Sequence, residues 1–314
     1  MKIIFSADWF ADNFKRGAEL NDEALLDYLR EAGFEIEMIN CKDITSVDYD
    51  TVYVFGNFTL LKEPIKRELE QKGKYIIYEH DHKYCMTRNP FADIVSPCSQ
   101  LHPTIGKKDN HIVSKDNLIN LDFYKNAFKV ICLTDWHQQQ LADNIECNLT
   151  NIHGSMWSMA NLDIIDRIRN SVRKVDKCAV FADKEVVTLE DGSKYNNGQN
   201  IKNKNGNIAY CIERGIPYRF IPRINNRENF LKALGSHTSF CFFPIIPETC
   251  SRILVEARML GLKVHTNDNS GAVHEDWFKL EGQELTDYFR EVQIPQAITL
   301  FKDTINECNS NSRT

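Results

Sequence analysis

Two glutamates, Glu248 and Glu256, are separated by seven residues in the segment FPIIPETCSRILVEARMLGLKVHTNDNSGA, which begins at Phe243. The segment reads as a strand end, a loop, a helix over 248–260, a stop at Gly261 and a further strand. If every step is helical, the two carboxylates lie about 12 Å apart along the axis, at 1.5 Å per residue. A helix start leaves backbone N–H groups outside the helical ladder, and the macrodipole there favours anions. A diphosphate would rest near Cys250–Arg252, on the amides at Ser251 and Arg252. Glu256, two turns in, has the reach to accept both hydroxyls of a ribose, and Glu248 would stand beside a sugar. A nucleotide sugar has this length and this order of groups. Two solvated glutamates on an amphipathic helix are the plainer alternative.

Other clusters offer related chemistry. Ile201-Lys202-Asn203-Lys204-Asn205-Gly206 opens a helix-like stretch, where ammonium groups fit a diphosphate as well as they fit solvent. Tyr78-Glu79-His80-Asp81-His82 follows a strand-like run, and imidazoles there serve either proton transfer or packing. His80, His82, Cys85, Cys98 and His102 raise zinc as an alternative, but no second paired spacing completes a ligand set, and no metal is expected. The Asp268-Asn269-Ser270-Gly271 turn offers oxygens to a cation or contacts to a sugar. No Walker loop is present and no G-x-G-x-x-G follows the first strand-like run, so ATP-dependent phosphoryl transfer and dinucleotide hydride transfer lack their cradles.

These groups need a frame, and the apolar runs supply it. Lys2–Ser6, Phe34–Ile39, Thr51–Phe55, Tyr75–Tyr78 and Phe128–Leu133 read as short buried strands. Helix-like stretches over 18–32, 60–71 and 136–142 lie among them. A second series holds helices over 162–172, 205–214, 226–234 and 248–260, with strands over 178–181, 218–221, 239–243 and 263–266. The polar stretch 183–200 reads as an inserted loop or hairpin. Such alternation implies parallel sheets. The expected fold class is α/β, with two Rossmann-like domains facing across a cleft. The boundaries fall at 1–157 and 158–291, and a final helix at about 292–308 packs back on the first domain.

Composition agrees with two globular domains. The chain has 314 residues, 42% hydrophobic and 26% charged, at mean hydropathy −0.41, which excludes disordered and collagen-like classes. No apolar run is long enough to span a membrane, and MKIIFSADWF is too short an apolar start for a secretory signal. Cys41, Cys132, Cys178, Cys211 and Cys241 sit singly in apolar runs, which favours reduced buried thiols. The net charge of −6 argues weakly against nucleic acid. It is unevenly spread: residues 161–235 carry 14 Lys/Arg against 9 Asp/Glu, a local +5 that leaves −11 elsewhere. The total therefore leaves DNA open as a partner, through a local, salt-sensitive patch.

The array Glu248-TCSRILV-Glu256-ARML-Gly261-LKV resembles the signature of the retaining glycosyltransferases of family 4 and their relatives, which have the GT-B fold. The resemblance extends to Lys15-Arg16-Gly17-Ala18-Glu19, similar to a Gly-Gly-x-Glu loop with Arg16 in place of the first glycine. It takes in the His80-Asp81 segment and Lys202–Gly206 as well. A paired upstream arginine of the family has no match, and the 183–200 insertion, with Lys184 and Lys194, stands in its place. The resemblance implies sugar transfer with retention from a nucleotide-diphosphate sugar, a UDP-sugar, with no cofactor required. It implies catalytic roles for Glu248 and His80. Gly17, Lys202, Lys204, Ser251, Arg252 and Glu256 would hold the donor in the second domain and at the first loop. Trp9, Arg16, His82 and Arg88, with Phe10, Lys15, Lys107 and Lys108 nearby, would face the acceptor. A hydroxymethylated pyrimidine in phage DNA is the acceptor expected, in the cytoplasm of an infected bacterium and without integral membrane contact. A polysaccharide, lipid or small-molecule acceptor is the alternative, as are an epimerase and a non-catalytic nucleotide-sugar binder.

Overall fold

The computed structural model describes residues 2–11, 16–86, 88, 90, 113, 115–181, 186–188, 194–196, 204–221, 224 and 226–310. They form two compact units. One holds the described residues up to Met159 and again from Tyr288, and the other runs from Ala160 to Asp287.

The first unit is built on β1 (Ile3–Ala7), α1 (Gly17–Glu31), β2 (Ile36–Asn40), β3 (Val52–Phe55), α2 (Glu63–Lys72), β4 (Lys74–Tyr78), α3 (Leu121–Lys125), β5 (Lys129–Cys132), α4 (Asp135–Ala142) and β6 (Leu149–Asn151). Its six strands are parallel, in the order β2-β1-β3-β4-β5-β6. Strands buried on both faces must be apolar throughout, and β1, β3 and most of β4 are fully buried. Leu25, Leu26 and Leu29 bury one face of α1. That helix stops in a Schellman turn: Gly33 N–H donates to Arg30 O at 2.9 Å and Phe34 N–H to Leu29 O at 3.1 Å. Gly33 takes φ +90°, a conformation a Cβ would strain. The core holds an aromatic cluster in which Phe123 packs on Phe55, Phe58 and Tyr75.

The second unit takes in α5 (Met159–Ser171), β7 (Val175–Phe181), α6 (Lys204–Glu213), β10 (Tyr218–Ile221), α7 (Arg227–Gly235), β11 (His237–Cys241), α8 (Arg252–Met259), β12 (Lys263–His265) and α9 (Gly282–Tyr288). Its sheet is also parallel, in the order β10-β7-β11-β12. Within the 183–200 insertion, β8 (Val186–Thr188) and β9 (Lys194–Asn196) pair antiparallel as a hairpin. Cys178, Cys211 and Cys241 share an apolar cluster with Val180 and Phe243, and no disulfide joins the described cysteines.

The chain then returns to the first unit. A π-helical turn, Phe289–Gln293, leads into α10 (Ile294–Ser310). Gln293 donates to Ile152 O at 2.7 Å, and Phe289 stacks edge-on against Trp157 at 4.6 Å. Helix α10 packs on β3, β4 and α1, with Phe301 edge-on to Tyr78 at 5.1 Å. No helix among the described residues is long and apolar enough to cross a membrane.

Two expectations need correction. The helix read over 248–260 begins only at Arg252. Glu248 lies outside it, in a parallel bridge to Ser270, so the two glutamates do not share one helix and the 12 Å axial span does not apply. The cause is Ser251, which turns left-handed at φ +54° and breaks the helical path just before Arg252. The strand β6 was not expected: three half-buried residues, Leu149-Thr150-Asn151, carry no apolar run to reveal it.

Candidate active site

In parallel sheets, ligands collect at the carboxyl ends of the strands, where neighbouring connections leave in opposite directions. In the first unit that point lies between β1 and β3. Asp8, the residue after β1, is buried and accepts from Thr59 N–H at 2.9 Å, from Leu60 N–H at 2.8 Å and from the Thr59 hydroxyl. This carboxylate ties the loop after β3 to the loop after β1. Trp9 follows it, 42% exposed, with Phe10 buried behind. Gly17 opens α1 with no atom within 4 Å of where a Cβ would stand, and Arg16 precedes it, exposed.

The next layer is buried and charged. His80, at the end of β4, places Nε2 at 2.6 Å from Asp22 Oδ1, and both side chains are almost wholly buried. The Tyr78 ring stands edge-on to His80 at 4.2 Å. Glu19 lies one turn before Asp22 on α1. Burial, with Asp22 adding like-charge repulsion, pushes its carboxyl above the usual range. Among the described residues, neither Glu19 Oε2 nor Asp22 Oδ2 has a hydrogen-bond partner, although both are buried.

A second buried network fixes the loop that carries His80. Lys83 donates to Glu79 at 2.6 Å and reaches Asp81 at 3.3 Å. The Tyr124 hydroxyl donates to the other Glu79 oxygen. Arg88, left-handed at φ +52°, pairs with Asp81 at 3.1 Å. Burial opposes ionisation of Asp81, but Lys83 and Arg88 outweigh it and hold the carboxyl down at about 2. His82 is buried edge-on against Tyr84 at 5.7 Å and His137 at 5.4 Å. Its ring therefore faces a different set of neighbours from the Asp22 side of His80.

In the second unit, two loops at the strand ends are laced together. Glu248 N–H donates to Asn269 O at 2.9 Å and Gly271 N–H to Glu248 O at 2.8 Å. The side chains of Asn267 and Asn269 both donate to Pro244 O, at 3.0 and 3.1 Å, and Ser270 Oγ donates to Cys250 O at 3.2 Å. The turn at 268–271 thus anchors the loop carrying Glu248. That loop delivers the chain to Ser251, the N-cap of α8, which makes no side-chain cap bond. Among the described residues, nothing hydrogen-bonds the buried Ser251 Oγ. One turn further in, Glu256 is 1% exposed. Arg227, the first residue of α7, donates to Glu256 Oε1, and Arg252 Nε lies 3.2 Å from the same oxygen. Two guanidinium groups therefore meet at Glu256, in the second turn of α8.

The structure brings Ser251, Arg252 and Glu256 together and places Glu248 on the adjoining loop. Lys202 lies outside the described residues, as do Lys15, Lys107, Lys108, Lys184, Cys98 and His102. Lys204 is the first residue of α6. Sequence reasoning quoted Glu19 only within the 15–19 loop and missed Asp22 and Arg227. A signal existed for Asp22: an acidic residue three after Glu19, on the same helix face as Leu25, Leu26 and Leu29. Arg227 had none, because its partner is on another helix.

No protein-family model matches this chain, and no curated protein matches it in sequence. Solved structures do. OtsA in its apo form is 7% identical, covers 99% of this chain and 96% of that one, and superposes at a TM-score of 0.50. The Anabaena protein HepE, solved in complex with UDP-glucose, is 12% identical over 99% of this chain and 95% of its own, at 0.47. An alpha-glucosyltransferase, solved with UDP and a 13-mer DNA containing an HMU base, is 10% identical over 99% and 95%, at 0.40. The OtsA likeness is one of fold. It agrees with the α/β class and the two Rossmann-like units that the alternation along the sequence implied, the architecture of GT-B glycosyltransferases.

Proposed function

We propose that this protein is a retaining glycosyltransferase that takes a sugar from a UDP-sugar and places it on an acceptor hydroxyl. The observation that carries the reading is the start of α8. A left-handed Ser251 with a buried hydroxyl leads there into the first-turn amides, and the guanidinium groups of Arg227 and Arg252 meet at Glu256 one turn further in. A diphosphate is the common ligand such a constellation suits. It would be stabilised there as negative charge develops on the leaving group, with Lys202 and Lys204 adding positive charge. Glu256 would accept ribose hydroxyls beside the two arginines. Glu248, held by the 269–271 turn, would orient the sugar and support its positive character in the transition state. His80 would stand against the transferred sugar, and Gly17 would let the backbone approach the donor.

The acceptor in this reading is a hydroxymethylated pyrimidine in DNA. The exposed Trp9 on its Asp8-anchored loop supports it, since a flat exposed ring suits a flipped base. Arg16 and Arg88 would meet phosphates, and His82 would act from behind the surface. The test is mass spectrometry of hydroxymethylated DNA incubated with the protein and a panel of nucleotide sugars. A mass increase of one sugar is expected with a UDP-sugar, and the anomeric configuration of the product reports retention. No increase with any donor removes DNA as acceptor. UDP release without DNA modification redirects the search to polysaccharide, lipid or small-molecule hydroxyls. A new sugar nucleotide formed from the donor alone identifies an epimerase. Glu248→Ala with full turnover would remove that residue from the mechanism.

A further inference from the structure

The first unit holds a cavity of about 580 Å³ between α2 and residues 118–122, a volume in the range of small-ligand sites. The most buried group in its lining is Lys66 of α2, whose side chain is 8% exposed. Its ammonium donates to Glu63 at 2.9 Å and to Asn120 Oδ1 at 3.0 Å. Asn120 donates in turn to Lys83 O at 2.9 Å, so both ends of its amide are committed. The wall across from α2 is fixed as well. Ile119 N–H donates to Tyr84 O at 2.9 Å, and Leu118 and Leu121 pack on the core of the unit. Thr59 also lines the cavity, and its backbone and hydroxyl are held by Asp8. The cavity is therefore built on groups that are tied down before any ligand arrives.

The chemistry of the lining narrows the ligand. Three carboxylates, Glu63, Glu70 and Asp122, stand with two cations, Lys66 and Arg67. Glu63 and Lys66 offset each other at 2.9 Å, and Arg67 opposes the other two. A phosphate meets too many carboxylates here. A metal ion has no centre to bind, since among the described residues these three acids do not bring their oxygens together. Leu118, Ile119 and Leu121 add an aliphatic strip to the polar lining. Ionised carboxylates only accept hydrogen bonds, and guanidinium only donates. Burial, and after it Asp122 and Glu63, push the Glu70 carboxyl above its usual range, toward a form that does both. A hydroxyl also donates and accepts, and a pyranose carries several around a ring with apolar C–H groups. We infer that this cavity is a binding site for a neutral hexose unit, distinct from the nucleotide-sugar site of the second unit. The inference stands on residues of the first unit alone, whether or not the chain transfers sugar. A free hexose and the end of a hexose chain present the same groups to it.

Saturation-transfer NMR and calorimetry on the full chain test it, with methyl α-glucoside and maltose as probes. Millimolar binding is expected, with saturation reaching the ring protons. Glu70→Ala and Asp122→Ala should each weaken it about tenfold or more, the scale of a lost hydrogen bond to a charged group. Glu70→Gln keeps a donor and an acceptor and should retain most of the affinity. Glu248→Ala, in the second unit, should leave it unchanged, and circular dichroism shows that each variant is folded. Tighter binding of maltose identifies a chain end as the natural source, and equal binding a single hexose. No saturation transfer at tens of millimolar overturns the inference, and so does affinity that survives both alanine variants. Putrescine bound where neither sugar binds overturns it too, because the carboxylates then serve an ammonium ligand. None of these measurements needs turnover, so a chain that releases no UDP from any UDP-sugar would fail as a transferase and leave this result standing.

Discussion

Charge compensation governs the individual residues of both units. Glu256 is buried with Arg227 and Arg252 on one oxygen. Removing one member of a buried ion pair leaves the rest unpaired, at a cost of about 3–5 kcal/mol. Glu256→Ala should lose stability on that scale in urea unfolding and should also bind UDP more weakly by calorimetry. Unchanged UDP affinity in a folded variant would count against the ribose assignment. Asp81 makes a different prediction. Its carboxyl is depressed to about 2 by Lys83 and Arg88 against the opposing effect of burial, so the folded state binds fewer protons than the unfolded chain in acid. The stabilisation is present above the unfolded value near 4 and is lost as pH falls through about 2. Asp81→Asn should flatten the acid limb of a stability–pH curve between those limits, and an unaltered limb would show that the network does not depend on that charge. Residue types revealed His80 and Glu256 in the sequence. Their partners were not legible, because Asp22 lies 58 positions from His80 and Arg227 lies 29 from Glu256, and no local pattern encodes a contact at that separation.

At the scale of elements, what can be read depends on burial and length. The strands β1, β3 and β4 were plain because a strand buried on both faces has to be apolar without interruption. The end of α8 was plain because Gly261, at φ +69°, sits where a Schellman turn needs a left-handed residue. Its start was not. Thr249-Cys250-Ser251 continues the helical periodicity, and a left-handed serine leaves none of the signs a glycine would. That hidden break matters, because it moves Glu248 from the helix to a loop whose position is set by Asn267, Asn269 and Ser270. α10 offers the clearest energetic test. Phe301 is fully buried against Tyr78, and truncating a buried phenylalanine typically costs about 3–5 kcal/mol. Phe301→Ala should shift the urea midpoint accordingly. A loss below about 1 kcal/mol would mean that the site collapses around the deletion or that α10 contributes little to the first unit.

The whole molecule repeats one plan. The first four strands of each parallel sheet follow the same order, with the second strand outside the first and the third and fourth on its other side. The amino-acid sequence shows no trace of this, since a buried parallel strand asks only for apolar residues and any of several will serve. Histidines link both units to pH. His137 in the first unit is held well below its usual value by burial, with His82 and Lys83 adding repulsion. His237 and His265 in the second are lowered by burial as well. A histidine kept neutral in the fold takes up a proton on unfolding. Stability is therefore greatest above about pH 6.5 and falls below it, by as much as about 1.4 kcal/mol per pH unit for each such group. Denaturant titrations between pH 7.5 and 5 should show the decline, and His137→Gln should reduce its slope. A flat profile would mean that these rings are not buried neutral.

The return of α10 to the first unit also sets a schedule for making the protein. The faces of β3, β4 and α1 that α10 covers are synthesised long before the helix itself, with the entire second unit translated in between. At roughly 5–20 residues per second, that interval lasts about 10 to 40 s. Throughout it the nascent chain exposes the apolar surface awaiting Phe301 and Ile305, and Tyr78 lacks the support that steadies it against His80. The second unit can fold while still attached to the ribosome, whereas the half that carries His80 is finished last. Aggregation and chaperone capture should accordingly concentrate on chains arrested between the two.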